Sequence, residues 1–222
     1  MVSYDSIKLQ QTELIRKTLS GSVFIAEATA DSIGNALTAV SGGTHDLVAL
    51  PTGYNDLGFT TDAGAAFNTE TTTSDVSSWQ SASPTRSDTT AETSTLQVVA
   101  QETKLLTLGL YTGAAQAGIE AAAITGDVII KKPQRPSSRF YRVLVLSRDE
   151  NEFGEIFIGR YLPRAKVTGR GGQSHDKSDN ALQYDVTFTG FQDTEYGSAE
   201  SFLFGGPGWL ALLDQMEIEQ AS

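Results

Sequence analysis

Residues 93–113 read TSTLQVVAQETKLLTLGLYTG, and a change of period inside them decides the fold class. Leu96, Val98 and Ala100 alternate with Thr95, Gln97, Val99 and Gln101, the period-two pattern of a strand with one buried face. From Glu102 the period lengthens. Leu105, Leu106, Leu108, Leu110 and Tyr111 fit a helix lying on a sheet, with Thr103 as its N-cap and Gly113 just past its end. Gly109 inside that helix costs about 1 kcal/mol relative to alanine. Packing must therefore hold the helix, with Leu105, Leu108, Gly109 and Tyr111 as its packing positions and Gly109 marking a close approach of another backbone.

Outward from this stretch, the chain reads as β structure. Its 222 residues can bury a full core, threonine, serine and glycine are abundant, and aromatic residues are spread throughout. Residues 1–21 have irregularly spaced apolar positions (Ile7, Leu9, Leu14, Ile15, Leu19), which fit either a short surface amphipathic helix or an arm that docks on a neighbouring subunit. Strands are expected at 23–26 and 47–50, the second stopped by Pro51. A hairpin follows over 54–67 with its turn at Asp62-Ala63-Gly64. Residues 68–95 are polar and read as strands joined by a long loop, where Trp79 is a core aromatic or an interface anchor.

Residues 114–126 read as a small-residue linker, 127–131 as a short strand and 132–136 as a basic turn between prolines. The strongest strand signal is 140–146, FYRVLVL, apolar on both faces as a central strand would be. It turns at 149–152 and returns over 155–162, where Pro163 ends the strand, with 165–168 continuing after a bend. The glycine-rich 169–175 is a connection, since neither G-K-[ST] nor a helix follows it. Leu182, Tyr184, Val186 and Phe188 then mark one face of a strand over 182–191, and Leu210, Leu212, Leu213 and Met216 a terminal helix.

Charge narrows the function. The total is −11, which disfavours binding that works by neutralising phosphates. By segment, residues 1–21 carry +1, 22–128 carry −10, 129–175 carry +6 and 176–222 carry −8. The basic region, with Arg142, Arg160 and Arg164 among strand residues, is either a solvated sheet face with local ion pairs or one side of a self-complementary subunit. No cysteine is present, so no thiolate metal site can be built, and no Ser/His/Asp arrangement can be argued from two histidines, His45 and His175, that both stand in loop-like settings. Asp56 and Asp62 lack the D-x-D-x-D-G spacing and closing glutamate of a calcium loop. No cofactor is expected. The start, MVSYDSIKLQQ, has no apolar core region, and no apolar run approaches the roughly 20 residues of a membrane span, so export by a standard signal and membrane insertion are not expected.

The 93–113 stretch resembles the corresponding part of the major tail tube proteins of long-tailed, non-contractile bacteriophages, especially those of actinobacteria. Gly53-Tyr54…Leu57-Gly58-Phe59-Thr60-Thr61-Asp62…Gly64 is similar to that family's early hairpin, and Tyr184…Val186…Phe188…Asp193 to its late strand. Phe204-Gly205-Gly206-Pro207-Gly208-Trp209 is similar to the ending many members share. The resemblance implies a mainly β sandwich or barrel with one flanking helix, an N-terminal arm (1–21), a tube domain (22–213) and a short tail (214–222). It implies hexameric rings that stack head to tail into a tube through which double-stranded DNA passes. The arm and part of the loop at 68–92 would bridge rings. Tape-measure, terminator and distal tail proteins would be partners, and the tail of the virion, assembled in the bacterial host cytoplasm, its location.

Subunit contacts are expected at Ile7, Leu9, Leu14, Ile15, Glu70, Asp75, Trp79, Arg142, Arg160 and Arg164. Two other readings compete. One is another β-rich assembly component, such as a terminator, a decoration protein or a secretion-tube subunit. The other is a carbohydrate-active enzyme using paired carboxylates, Glu150 with Glu152 or Asp176 with Asp179.

Overall fold

The structure, a computed structural model, describes residues 3–221 except 35, 137 and 178–180. Its strands in chain order are β1 (Ser20–Glu27), β2 (Thr38–Ser41), β3 (Thr44–Leu47), β4 (Asn55–Asp56), β5 (Thr60–Val76) and β6 (Arg86–Ala100). Helix α1 (Leu105–Thr112) follows, then β7 (Tyr141–Asn151), β8 (Gly154–Arg170), β9 (Tyr184–Gly190), β10 (Ser201–Gly205) and the short α2 (Pro207–Leu210). The fold is mainly β with one flanking helix, as the period change at Glu102 implies.

The main sheet runs β4-β1-β7-β8-β9-β6-β5, antiparallel throughout, and β10 pairs with the start of β8 beyond the reach of β9. Only residues 57–59 join β4 to β5, the two outermost strands. The sheet therefore curls so that its two ends approach each other, and the Gln101 N–H donates to the Phe59 carbonyl (2.9 Å), continuing the β5–β6 ladder one rung past Thr60 and Ala100.

The predicted central strand is central: β7 lies between β1 and β8, with Val143 in one core and Leu144 in the other, both fully buried. The first core joins Val23, Ile25, Leu96, Val98, Leu162 and Phe188 under α1. The second joins Ile33, Leu144 and Tyr161 with Tyr54 and Tyr196. The Tyr54 and Tyr161 hydroxyls lie 2.9 Å apart. Burial, then the bond to Tyr161, pushes the Tyr54 pKa up.

Helix α1 is pinned mainly at its ends. The Arg170 Nε donates to the Leu110 carbonyl (2.8 Å), Tyr111 OH donates to the Gly171 carbonyl (2.9 Å), and Gly113 closes the helix at φ +74°. Thr103 is not the cap. Lys104 holds that position without a side-chain bond, and the Thr103 hydroxyl meets Tyr184 OH at 2.8 Å. Leu105 faces solvent, so the packing side is Leu106, Leu108, Leu110 and Tyr111. The space above Gly109 is filled by the Gln116 side chain of the same chain, where a Cβ would meet Cγ at 2.7 Å, and no other backbone approaches.

Several boundaries differ from the sequence expectations. Residues 62–64 form no turn. They lie within β5 at a register irregularity between Thr60 and Ala65, where Gly64 has φ +64°. Of the strand expected at 47–50 only Leu47 is in a strand, the last residue of β3 in the small hairpin β2–β3, and 127–131 forms no strand beyond an isolated bridge, Ala121 to Val128. Gly21 lies inside β1, and the arm has two 3-10 turns, Tyr4–Ile7 and Thr12–Leu14, in place of an amphipathic helix. The β7–β8 turn is Glu152-Phe153, two residues later than expected.

Pro163 does not end its strand. Two residues of β8, Pro163 and Arg164, oppose Arg142 alone, and such a bulge spares a residue without an N–H. Leu182 lies outside β9 and is exposed. The terminal helix is Pro207–Leu210, with turns after it. A Cβ at Gly206 or Gly208 would collide with the carbonyls of Glu155 or Gly154, which gives the Gly-Gly-Pro-Gly-Trp stretch its physical reason.

Candidate assembly surfaces

Two segments leave the packed body. The first is the hairpin of β5 and β6. Strand β9 accompanies β6 only from Thr95 to Ala100, so beyond Thr95 the two strands have no partner except each other. Residues 68–76 extend this two-stranded ribbon by nine residues, about 30 Å at the rise of a strand. Every residue from 68 to 93 is exposed except the half-buried Ser78. A two-stranded ribbon is marginal in water by itself. Here threonine side chains support it, with Thr90 Oγ1 donating to the Thr72 carbonyl (3.1 Å) and Ser87 Oγ to Asp75 (2.5 Å). Its tip is ordered by Thr85 N–H to the Val76 carbonyl (2.8 Å) and Ser78 Oγ to Thr85 Oγ1 (2.8 Å). On that tip stands Trp79, 97% exposed. Trp79 is therefore not a core aromatic. The strands expected in 68–95 are present and pair with each other, and the loop that joins them is the short tip 77–85 that carries the tryptophan.

The second segment is the arm. Its root is fixed: Leu19 N–H donates to the Arg148 carbonyl (2.8 Å), and Asp149 receives Lys17 N–H (3.3 Å) and Arg16 Nη1 (3.5 Å). Beyond the root, Ile7, Leu9 and Ile15 are exposed, Leu9 at 91%, while Leu14 is half-buried.

The three arginines separate. Arg142 is buried and its charge is satisfied within the chain. It donates to the carbonyls of Ala30 (2.8 Å) and Pro163 (3.2 Å) and to Ser32 Oγ (2.6 Å), with Asp193 at 3.7 Å. Burial opposes that charge, yet Tyr161, Tyr54 and Asp193 together hold its pKa above the ordinary value. Arg142 is a structural cation within the subunit's own core. Arg160 pairs with Glu200 and lies between the rings of Phe67 (3.8 Å) and Phe202 (4.5 Å). Arg164 covers Phe140 at 4.3 Å. Both are half-exposed. Glu70 and Asp75 stand on the ribbon, fully exposed.

Of the residues weighed for catalysis, His45 is on β3 and His175 in the loop after β8. Glu150 is on β7 and Glu152 is in the tight turn that follows it, and Asp179 lies outside the described residues. One surface escaped the sequence reading. Residues 113–135, taken as a linker, a strand and a turn, form a shallow depression of about 420 Å³ with Ile119, Ile129 and Ile130 in its lining and Lys131 and Arg135 at its rim. The signal available was the two isoleucines, Ile129 and Ile130, beside three cations in 131–135.

Comparison with known proteins follows the same direction. The sequence model of the family described as phage tail tube protein matches residues 9–203, from within the arm through the hairpin, α1 and β9 to β10. A crystal structure titled Hcp protein is similar over 83% of this chain and 98% of that one, at 11% identity and a TM-score of 0.31. Comparison with curated proteins returns no match. Since the family model spans most of its length, the chain belongs to the phage tail tube protein family, whose members are structural components of the virion tail.

Proposed function

We propose that this chain is the repeating subunit of the tube of a long, non-contractile phage tail, assembling with itself into hexameric rings that stack into a conduit for DNA. The observation that carries this reading is the pair of ordered projections, arm and hairpin, whose Leu9, Ile15 and Trp79 have nothing to cover them within the subunit. A head-to-tail contact between a projection and a surface elsewhere on the next copy repeats without closing, which is how a tube grows. The acidic chain supports the conduit, because net negative charge keeps a polyanion moving rather than bound. Tape-measure, terminator and distal tail proteins would then meet the ends of the tube, and assembly would take place in the host cytoplasm.

Purified protein should form rings or tubes by negative-stain electron microscopy, with sedimentation showing a concentration-dependent rise in mass. Protein that stays monomeric at all concentrations and salt conditions overturns the proposal. Rings that never stack favour a terminator.

A further inference from the structure

We infer that the depression lined by residues 113–135 is the receptor for the β5–β6 hairpin of a second copy, with Trp79 as the anchor seated in it. This rests on the reading above that the chain assembles with itself; it adds where the hairpin lands. Charge is the first argument. Residues 68–95 of the hairpin carry Glu70, Asp75, Asp88 and Glu92 against Arg86 alone. Arg86 is already paired with Asp88 (2.6 Å), while Glu70, Asp75 and Glu92 form no ion pair among the described residues. Within 113–135 the cations Lys131, Lys132 and Arg135 stand against Glu120 and Asp127, and of these charged residues only Lys131 and Arg135 line the depression. None of these three cations forms an ion pair among the described residues, whereas Arg139, just beyond, is paired with Glu27 at 3.3 Å. The two segments thus hold unspent charge of opposite sign.

Shape and chemistry supply the second argument. The depression has an apolar floor with a cationic rim: Ile119 and Ile130 are half-buried, and Ile129 is 83% exposed. An indole suits both parts. Its body covers aliphatic surface, and its ring face attracts a guanidinium or ammonium within about 6 Å. Tryptophan and arginine are also the residues that most often dominate an interface. The hairpin tip around Trp79, SSWQSAS, carries no charge, so seating it would desolvate no ion, while the acidic stem would lie toward the cationic rim. The ribbon's length puts Trp79 far enough from its own body to reach a neighbour.

The test places a photo-crosslinking amino acid at position 79 of the full chain and mixes isotopically light and heavy protein before assembly. Crosslinks between light and heavy chains falling within 113–135 are expected. Crosslinks concentrated elsewhere, in particles that still form tubes, overturn this inference and leave the tube reading intact. Failure of unsubstituted protein to assemble overturns both.

A second arm uses charge. Reversing Lys131, Lys132 and Arg135 to glutamate should raise the concentration needed for assembly about tenfold or more, and Asp75→Lys, at the acid nearest the tip, in the same chain should recover part of it. All four residues are exposed, so circular dichroism and melting of the unassembled variants should match the parent. Unchanged assembly of the triple variant, or no recovery on compensation, also overturns the inference.

Discussion

The strand β6 has two halves that share a backbone and differ in everything else. From Leu96 to Ala100 its alternate side chains are sealed in the core under α1, with β9 on one side and β5 on the other. From Arg86 to Thr93 the same strand holds only β5, and every side chain faces water. Both halves keep their ladder with β5, the outer one with a bulge at Thr90. The comparison shows that strand geometry here does not depend on burial: the inner half is held by apolar packing, the outer half by its ladder and by threonine and serine hydroxyls. The first is sealed within the subunit, and the second presents both its faces to water.

Substitutions should separate the halves sharply. The largest effect is expected from Phe188→Ala, which empties a fully buried site against Leu96 and the edge of Tyr141 (ring centroids 6.3 Å). Such truncations cost about 3–5 kcal/mol, which lowers the melting temperature of a chain this size by about 10 °C. Thr71→Ala on the ribbon should change melting by less than about 0.5 kcal/mol. Equal melting of the two variants, followed by circular dichroism of unassembled protein, would break the comparison. Next in size is Arg142→Met. It strands Asp193 and two backbone carbonyls in a buried site, at a cost of about 3 kcal/mol. Trp79→Ala should leave melting within about 0.5 kcal/mol of the parent while assembly, followed by sedimentation, is lost.

This contrast also explains what could be read from the sequence. Leu96, Val98 and Ala100, Tyr184, Val186 and Phe188, and the doubly apolar run at Val143 and Leu144 announce their burial, because the core selects side chains at a fixed period. The ribbon offers no such signal. Its Thr, Ser, Glu and Asp residues suit either a loop or an exposed strand, and only the pairing of residues 69–76 with 86–94 distinguishes them. Trp79 was ambiguous for the same reason: one aromatic in a polar stretch has no period to place it. Arg142 was hidden for another reason. It sits in an apolar strand, where a bulge opposite Pro163 lets its guanidinium reach backbone carbonyls that no sequence pattern records. The 113–135 depression was invisible because its apolar residues come from a segment with almost no regular structure.

The arm gives an intermediate case, ordered at its root and uncovered beyond. Asp149 is buried and takes both the Lys17 N–H and the Arg16 guanidinium, whose Nε and Nη2 are buried without other partners. Asp149→Ala should therefore loosen the root more than it weakens the body. Loss of these bonds costs about 1–2 kcal/mol, and trypsin should cut after Arg16 or Lys17 several times faster than in the parent. Unchanged cleavage would mean that the Leu19 to Arg148 backbone bond alone holds the arm.

The smallest expected effect lies beside the start of β5. The Glu102 carboxylate is bonded by the Lys104 ammonium (2.7 Å) and by the Phe59 N–H (2.7 Å), and these, in that order, hold its pKa below the ordinary carboxylate value. A carboxyl that binds its proton less tightly when folded contributes stability above its unfolded pKa and loses it as pH falls through the lowered one. The group is solvent-exposed, so water screens much of the benefit. Glu102→Gln keeps the shape and removes the titration. Urea midpoints of parent and variant should differ most near neutral pH and converge in acid, below the usual carboxylate range. A constant gap from neutral to acid pH would show that the side chain acts there through packing alone. The start of β5 would then be held by backbone bonds such as Gln101 to Phe59, part of the same β5–β6 ladder that holds the ribbon outside.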